Sequence, residues 1–453
     1  MWFWSHHLVA VVVFALAVLF AARVLRERRS PASTFAWLLT IGLVPEVGVP
    51  LYLLFGGRKI RRRASQKQDV PADSSPLPGN RALVLANGEE AFAAVLALLE
   101  QARRSIHLAT FILADDDVGR AVVDTLTRKA ADGVEVRVLV DDLFAWRAGR
   151  RRLARLRRAG GKVAFFMPVL RLPLRGRRPD LRNHRKILVV DGEAALVGGM
   201  NIAREYMGPT PHPRRWRDVA MRIDGPAALA LDDVFRVDWA FAARELVARG
   251  QPVLADRGSL SLEPSSSSVS ELSSFGDAIV RVVLSGPDVR EDLFYDAMLV
   301  SFFAARRRIW IATPYFVPDE ALTHALALAA RRGVDVRIIV PARSNHWSAD
   351  LAGAGYLRQV EEAGGRIFRY SPAMMHGKVI VIDDLGTLGS ANMDIRSLFL
   401  NYEVALFFTS DAEVAALAAW FESLLHDCRC GMPHPGPVRA LAEDVGRLLS
   451  PLV

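Results

Sequence analysis

The sequence predicts an α/β protein of two duplicated domains, preceded by an N-terminal α-helical membrane region. Residues 1–64 contain two apolar runs flanked by basic side chains, which is the pattern of membrane segments. The rest of the chain repeats one order of strand-like and helix-like segments, with corresponding strings roughly 200 residues apart. Strands that alternate with helical patterns indicate a largely parallel or mixed sheet in each half. At 453 residues the chain is also too long for one hydrophobic core.

The first apolar run, residues 2–22, has the length of a membrane-spanning helix. As a helix it would extend about 30 Å, which matches the hydrocarbon thickness of a bilayer. A cleavable signal peptide is the alternative, but the run has no basic start and no evident small-residue cleavage site. We therefore expect an uncleaved anchor.

The second apolar run, residues 35–55, leaves two geometries open. Glu46 and two prolines lie in its middle, and an ionisable residue at the bilayer centre is costly. The basic clusters at 23–29 and 58–63 both have the composition of cytoplasmic loops, yet they lie on either side of this run. The run therefore either spans the bilayer or bends back as a re-entrant hairpin. We expect a multi-pass protein of the cell membrane whose folded body is cytoplasmic.

The distribution of charge argues against a protein that binds nucleic acid. The chain has a formal net charge of +9, but residues 1–64 alone carry nine basic and two acidic side chains. The remaining residues therefore carry only about +2, whereas a nucleic-acid-binding protein is expected to have its basic excess on the folded body. We expect a membrane partner and no nucleic acid.

Internal repetition divides the rest of the chain into two domains. The string ARRSIHLATFIL at 102–113 returns as ARRRIWIATPYF at 305–316, and in both copies a helix-like stretch and a glycine-led apolar strand follow. The boundaries that we predict are, in order, a polar linker at 65–80, a first domain at 81–255, a low-complexity connection at 256–276 and a second domain at 277–453.

Each half carries the same set of polar residues at nearly the same spacing. In the first half, four apolar residues separate the pair His184 and Lys186 from Asp191, and Asn201 follows two glycines. A histidine and a lysine two positions apart on a strand point to the same side of it. The second half repeats the set, with one residue fewer before its glycine, as His376, Lys378, Asp383 and Asn392.

A phosphodiester centre requires this combination of side chains. Phosphoryl transfer needs cations and hydrogen-bond donors around the non-bridging oxygens, and the lysines and asparagines can supply them without a metal. One imidazole can attack phosphorus while the other protonates the leaving oxygen, because histidine titrates at about pH 6.5. Two-fold packing of the halves would bring both sets into one cleft, so we predict a single site without a cofactor.

The duplicated pattern resembles the phospholipase D superfamily, whose signature is H-x-K-x4-D-x6-G-S-x-N in two copies. Within it the chain is most similar to the bacterial cardiolipin synthases, because of its two N-terminal apolar runs and strings such as TPYFVPDE at 313–320 and GSANMDIRS at 389–397. The resemblance covers essentially the whole chain. It departs at Gly199, which replaces a serine, and before Gly389, where the turn is one residue shorter.

The resemblance implies both a fold and a reaction. Each half of a superfamily member is a sheet sandwiched by helices, an α-β-α sandwich, and the two active histidines meet where the halves join. A cardiolipin synthase of the bacterial inner membrane would transfer a phosphatidyl group from one phosphatidylglycerol to a second through a phosphatidyl-histidine, giving cardiolipin and glycerol. By similarity, His184 is the nucleophile and His376 the acid and base. A phosphodiester hydrolase of the same superfamily is the alternative, and the oligomeric state is left open.

Four carboxylates are candidates to support this chemistry. Asp191 and Asp383 belong to the motif and are grouped with the catalytic set, although as strand-ending residues they would also suit a structural role in the following turn. An imidazole nucleophile needs an acceptor on its other ring nitrogen. Asp218, in the string WRD, and Glu403, in the string NYE, are the candidates for that orienting role.

A run of arginines between 147 and 186 is a candidate binding surface in the first half. Only Asp180 opposes its positive charge. The run either forms a solvated helix face and loop, or it attracts anionic lipid headgroups at about 1 kcal/mol per charge.

Overall fold

The computed structural model describes the backbone of residues 2–26, 31–55, 74–167, 181–244, 276–287, 289 and 292–449, without the side chains of residues 2–13, 31–33, 53–55 and 448–449. The predicted connection at 256–276 therefore lies almost wholly outside the described residues, as does most of the predicted linker at 65–80.

Three helices form the N-terminal region, namely α1 (Trp2–Arg26), α2 (Pro31–Leu43) and α3 (Pro45–Phe55). They pack around a small apolar cluster, in which the rings of Trp37 and Tyr52 meet edge to face with their centroids 5.3 Å apart. The second apolar run is thus two helices, interrupted at Val44, because a proline cannot continue the hydrogen-bond ladder of α2. A Cβ on Gly48 would lie 2.3 Å from the carbonyl oxygen of Thr40, so glycine permits the close contact of α2 with α3.

The predicted anchor at 2–22 is helical within α1, but its side chains are described only from Phe14 onward. Over the part of the chain that the structure describes, we find no helix with both the length and the apolar character of a membrane span.

The first half alternates strands and helices. Its elements are β1 (Leu77–Leu85), α4 (Gly88–Gln101), β2 (Ser105–Thr110), α5 (Asp117–Ala131), β3 (Glu135–Asp141), a 3₁₀ helix (Asp142–Arg147), α6 (Arg150–Arg158), β4 (Lys162–Phe166), β5 (Ile187–Val190), β6 (Ala194–Gly198), β7 (Ala220–Asp224) and α7 (Pro226–Ala243). Strand β1 begins at Leu77, so the last four residues of the predicted linker belong to the folded half.

The second half follows the same order. Its elements are β8 (Ala278–Ser285), α8 (Leu293–Ala304), β9 (Arg308–Ala312), β10 (Phe316–Val317), α9 (Glu320–Arg331), β11 (Asp335–Pro341), α10 (Trp347–Glu362), β12 (Arg366–Tyr370), β13 (Val379–Ile382), β14 (Leu385–Gly389), β15 (Met393–Asp394), α11 (Ile395–Phe399), β16 (Glu403–Phe408), α12 (Asp411–Leu425), β17 (Cys428–Cys430) and α13 (Pro437–Leu449).

The duplication is visible in the order of the strands. The first half has the order β4-β3-β2-β5-β6-β7-β1, and the second half has the order β12-β11-β9-β13-β14-β16-β8, with β17 added at the outer edge. In each half three parallel strands adjoin four antiparallel ones, which is the mixed sheet that the sequence predicts. Strands β1 and β8 pair antiparallel and join the two sheets into one.

Helices cover both faces of each half. Helices α4 to α6 pack on one face of the first half, and α8 to α10 pack on the corresponding face of the second. The other faces are covered by α7 and α12, whose apolar side chains share one core with strands from both halves. This core fixes the halves against each other, so that the loops next to β5 and β13 meet.

Candidate active site

Backbone hydrogen bonds between the halves position the two motif histidines. The amide of His184 donates to the carbonyl of Tyr402 at 3.0 Å, and the amide of Tyr402 donates back to the carbonyl of Arg182 at 2.9 Å. In the second motif, the amide of His376 donates to the carbonyl of Arg217 at 2.7 Å. Each histidine therefore lies beside a segment of the other half, and in each case the next residue of that segment is a carboxylate.

Each histidine contacts the carboxylate of the opposite half. Nδ1 of His184 lies 2.9 Å from Oε1 and 3.1 Å from Oε2 of Glu403. Nδ1 of His376 lies 2.6 Å from Oδ2 of Asp218. An ionised carboxylate can only accept, so it holds the hydrogen on Nδ1 and leaves Nε2 as the reactive nitrogen. In His376, Nε2 also lies 3.2 Å from Nζ of Lys378. The structure thus brings both predicted orienting residues to the histidines, in a crosswise pairing.

Lys186 and Lys378 are the predicted cations of the candidate site. Their Nζ atoms donate to the carbonyls of their own motif histidines, at 2.7 Å and 2.6 Å. Burial lowers the pKa of Lys186 to about 7 and that of Lys378 to about 8. An ammonium has three donors, so the bond of Lys186 to a carbonyl leaves donors for phosphate oxygens. Nζ of Lys378 also lies 2.9 Å from Nδ1 of His376, so Lys378 has fewer donors to spare. Among the described residues, no group of three or more His, Cys, Asp or Glu side chains is arranged to bind a metal.

The four motif side chains interact electrostatically across the halves. Burial lowers the pKa of His376 well below its ordinary value, and the positive charges of Lys378 and Lys186 lower it further. Burial also lowers the pKa of His184, against the attraction of Glu403. Residues of the first motif therefore act on residues of the second, as one shared site requires.

The two orienting carboxylates differ in their ionisation. Burial raises the pKa of Asp218 to about 7. Burial would also raise the pKa of Glu403, but the attraction of His184 and their hydrogen bond outweigh it, so the pKa of Glu403 is lowered. Glu403 therefore stays ionised to a lower pH than Asp218 does, as expected for the partner of a histidine that gains positive charge.

The two motifs differ after their first glycine because the carboxylates differ in length. Ser390 donates through Oγ to Oε2 of Glu403 at 2.5 Å, and it accepts from the amide of Val404 at 3.0 Å. At the equivalent position, a Cβ on Gly199 would lie 2.5 Å from Oδ1 of Asp218. The aspartate carboxylate occupies the space that a serine side chain needs, which accounts for the departure from the superfamily signature.

The two motif asparagines are buried and differently anchored. Oδ1 of Asn201 accepts from the amide of Ile112 at 3.1 Å, and its side chain also hydrogen-bonds Tyr206, which uses one of its two amide hydrogens. Nδ2 of Asn392 donates to Oδ2 of Asp394 at 3.0 Å, and this bond uses one of its two hydrogens. Each side chain thus keeps a donor that a phosphate could accept from.

Asp191 and Asp383, which the sequence groups with the catalytic set, do not join the histidines. Lys186 precedes β5 and Asp191 follows it, so about 16 Å of strand separates the two residues. The carboxylate of Asp191 accepts from the amides of residues 103–105 at 2.7–2.9 Å, and Asp383 accepts in the same way from the amides of residues 306–308. These aspartates fix the loops that enter β2 and β9, rather than the turns that follow them.

Aromatic rings around the histidines escaped the sequence analysis. The ring of Phe111 meets His184 edge to face at 5.0 Å. The rings of Tyr206 and Trp216 lie 5.1 Å and 5.2 Å from that of His376. A signal for Trp216 was present, because it belongs to the same WRD string as the orienting aspartate. Phe111 and Tyr206 gave no such signal, since a lone aromatic in a strand or loop is usually a core residue.

The arginine run divides into buried and exposed members. Nη1 of Arg182 lies 3.3 Å from Oδ1 of Asp141, and Nη1 of Arg185 lies 2.8 Å from Oδ1 of Asp238, all four side chains being buried. These two arginines are therefore not part of the predicted basic surface, whereas most of the arginines on α6 are exposed. Residues 168–180, which supply the rest of the run, lie outside the described residues.

Solved structures share this fold. A phosphatidylserine synthase from Haemophilus influenzae Rd KW20 superposes with a TM-score of 0.60, over 86% of this chain and 99% of that chain, at 16% sequence identity. A polyphosphate kinase from Porphyromonas gingivalis gives a TM-score of 0.50 over 81% of this chain and 52% of its own, at 14% identity.

Sequence comparisons are more specific. The family described as cardiolipin synthase, PLD-like domain, matches residues 95–239 and 299–425, once in each half. The family described as phospholipase D-nuclease N-terminal matches residues 15–57. A curated cardiolipin synthase from Geobacillus kaustophilus (strain HTA426) is 34% identical over 100% of this chain and 95% of its own length. Another, from Halalkalibacterium halodurans, is 30% identical with the same coverage.

The fold and these matches define a protein with duplicated phospholipase D-like domains. Within that class, the chain belongs to the cardiolipin synthase, PLD-like domain, family. The resemblance drawn from the duplicated motifs is confirmed.

Proposed function

We propose that this protein is a membrane-bound phosphatidyltransferase that makes cardiolipin and glycerol from two molecules of phosphatidylglycerol. The observation that carries the proposal is the crosswise pairing of His184 with Glu403 and of His376 with Asp218. Two imidazoles, each oriented by a carboxylate of the opposite half, support a two-step transfer at phosphorus. The full-length similarity to curated cardiolipin synthases supports the choice of product.

His184 is the proposed nucleophile of the first step. Its Nε2 attacks the phosphorus of phosphatidylglycerol, and the bond from phosphorus to the glycerol oxygen breaks. His376 gives the leaving oxygen a proton, so glycerol departs and a phosphatidyl-histidine remains. Glu403 supports this assignment, because its lowered pKa keeps an anion beside the imidazole that becomes positively charged.

The second step returns the enzyme to its starting state. His376, now neutral, takes the proton from a hydroxyl of a second phosphatidylglycerol, and that oxygen attacks the phosphorus. The bond from phosphorus to Nε2 of His184 breaks, and cardiolipin is released. Microscopic reversibility assigns the acid of the first step as the base of the second.

Lys186, Lys378, Asn201 and Asn392 are the proposed phosphate-binding residues. In both steps, negative charge builds on the non-bridging oxygens of phosphorus. Two cations and two amide donors fixed around these oxygens stabilise the transition state, since buried donors need no reorganisation during the reaction. Burial of the lysine side chains strengthens this interaction.

The membrane attachment is part of the proposal. The apolar runs at 2–22 and 35–55 and the helices α1 to α3 support an anchor in the bacterial inner membrane with more than one membrane segment. The break at Val44 favours a re-entrant geometry for the second run. The basic clusters beside these runs support a cytoplasmic body. A C-terminal epitope tag, tested for antibody access from each side of the membrane, checks the orientation.

One lipid assay tests the function. Purified full-length protein is incubated with labelled phosphatidylglycerol, and the products are separated by chromatography. Cardiolipin and glycerol in equal amounts are the expected result. Phosphatidic acid as the main product would instead identify a phosphodiester hydrolase, and unchanged lipid would contradict any catalytic function. Denaturation in detergent at alkaline pH during turnover, where a phosphorus–nitrogen bond to histidine is stable, should trap phosphate label on the protein, and a His184→Ala variant should trap none.

A further inference from the structure

Two exposed tryptophans occupy equivalent places in the two halves. Strand β3 ends at Asp141 and is followed by the 3₁₀ helix that carries Trp146. Strand β11 ends at Pro341 and is followed by a loop that reaches Trp347, the first residue of α10. The two side chains are 74% and 75% exposed. Because β3 and β11 correspond to each other in the duplicated sheet, the two tryptophans are a related pair rather than scattered surface residues.

Each tryptophan lies on a loop that borders one of the histidines. The ring of Phe144, two residues before Trp146, packs edge to face on Phe111, which in turn packs on the ring of His184. In the second half, the ring of His346, directly before Trp347, meets that of Tyr315 edge to face at 5.4 Å. Thr313 donates to the carbonyl of Tyr315 and accepts from the amide of Met393, the residue after the motif Asn392. Each loop is therefore connected through packed side chains to the motif of its own half.

Water is an unfavourable environment for such side chains, and a membrane interface is a favourable one. An indole combines a large apolar surface with one N–H donor, so it partitions to the headgroup region of a bilayer. Leu143, on the same 3₁₀ helix as Trp146, is also exposed. Exposed arginines accompany both loops, namely Arg150 and Arg151 in the first half and Arg343 in the second. Apolar rings among positive charges match the surface of an anionic bilayer.

The second loop is also connected to the N-terminal apolar helices. Helix α2 contacts α13, and α13 packs along α10 in the antiparallel direction, with Glu443 beside Arg358 and Gly446 beside Ala352. The end of α13 thus approaches the first turns of α10, where Trp347 lies. An exposed apolar stripe runs along α13 on Val438, Leu441 and Val445.

We propose that Trp146 and Trp347 insert into the surface of an anionic lipid bilayer, so that the mouth of the site faces the membrane. Lipid substrates then reach the histidines from the bilayer without crossing water. The identity of these lipids rests on the proposed function, but insertion itself does not depend on catalysis.

Fluorescence quenching tests the insertion directly. Full-length protein is reconstituted in vesicles of phosphatidylglycerol and brominated phosphatidylcholine, and its tryptophan emission is compared with that of Trp146→Phe and Trp347→Phe. The emission that each variant lacks is the emission of that tryptophan. Brominated lipid should quench this difference emission by about half or more, since the bromines lie at the depth of inserted indoles. A difference emission that brominated lipid leaves unchanged overturns the proposal. The proposal is also overturned if, in detergent, the tryptophan becomes shielded from solvent only at high protein concentration, because that result would indicate contact with a second copy of this chain.

Turnover supplies the second test. Trp146→Ala combined with Trp347→Ala should lose about tenfold in turnover on phosphatidylglycerol vesicles, because apolar surface buried in the bilayer is lost. The same variant should stay within about twofold of the parent on short-chain phosphatidylglycerol below its micelle concentration. The matched control is Phe303→Ala, an exposed aromatic on α8 near the opposite end of the second sheet, and it should match the parent on both substrates. Equal losses on both substrates overturn the proposal. If the parent makes no cardiolipin, the proposed function fails, while the quenching result still decides the insertion.

Discussion

Nδ1 of His184 lies 2.9 Å from Oε1 of Glu403, a residue of the other half of the chain. His376 is paired with Asp218 of the first half in the same manner. Either half alone would hold an imidazole without its acceptor and an acceptor without its imidazole. The crosswise arrangement gives a physical reason for the duplication within one chain, because only the assembled pair of halves contains a complete site.

Removing the charge of Glu403 tests this arrangement. Glu403→Gln keeps the shape of the side chain but no longer stabilises an imidazolium, so turnover should fall by about a hundredfold or more. The fold should persist, as judged by circular dichroism and the thermal unfolding midpoint. Glu422→Gln, an exposed change on α12, is the control and should keep the parent turnover. A Glu403→Gln enzyme with nearly full turnover would remove this carboxylate from the mechanism.

The glycine of the first motif should be intolerant of the serine that the second motif uses. In Gly199→Ser the new Cβ would lie 2.5 Å from Oδ1 of Asp218 and would push that carboxylate from His376. We expect at least a tenfold loss of turnover together with a lower unfolding midpoint. Gly436→Ser is the matched control, because a Cβ at Gly436 meets no atom within 4 Å. Parent-like turnover in Gly199→Ser would show that Asp218 does not need its present position.

The motif aspartates should affect stability more than catalysis. Asp383→Ala removes the acceptor of three backbone amides, so the free energy of unfolding should fall by about 1–3 kcal/mol. Turnover of the folded fraction should stay within about threefold of the parent. Asp384→Ala changes the exposed neighbouring carboxylate and should have little effect on either quantity. A large loss of turnover with unchanged denaturant unfolding would return Asp383 to the catalytic set.

The motif residues could be predicted from the sequence because the same spacing recurs in both halves. The expectation that each histidine and lysine lie on the strand is wrong by one residue, because β5 begins at Ile187 and β13 at Val379. The structure nevertheless brings the motif histidines and lysines of both halves into electrostatic interaction. The same spacing could not show that Glu403 serves His184, since distance along the chain does not say which half supplies an acceptor. That pairing arises from backbone bonds between the halves.

The burial of charged side chains could likewise not be predicted from the sequence. Arg182 and Arg185 read as members of a basic surface run, yet both are buried, because Asp141 and Asp238 meet them from elements that are distant along the chain. The motif aspartates Asp191 and Asp383 differ from expectation in another way, because the sequence groups them with the catalytic residues, whereas they lie away from them. Their spacing from the histidines is regular because a four-residue strand lies between them, and that strand is what keeps them apart.

The pH dependence of kcat/KM should report the ionisations of the free site. His184, the proposed nucleophile, can attack only when it is neutral, and burial lowers its pKa below 6.5, so activity should fall on the acid side only below that pH. His376, the proposed acid, must carry its proton, and its pKa is well below its ordinary value, so kcat/KM should already begin to fall as that proton is lost. Lys186 and Lys378 bind phosphate only when protonated, so their deprotonation should add a further alkaline limb above about pH 7–8. Lys186→Arg keeps its charge at every accessible pH and should move the alkaline limb upward. Lys162→Arg, an exposed control, should leave the profile unchanged. An alkaline limb that stays in place in Lys186→Arg would show that Lys186 does not act as the titrating cation of the site.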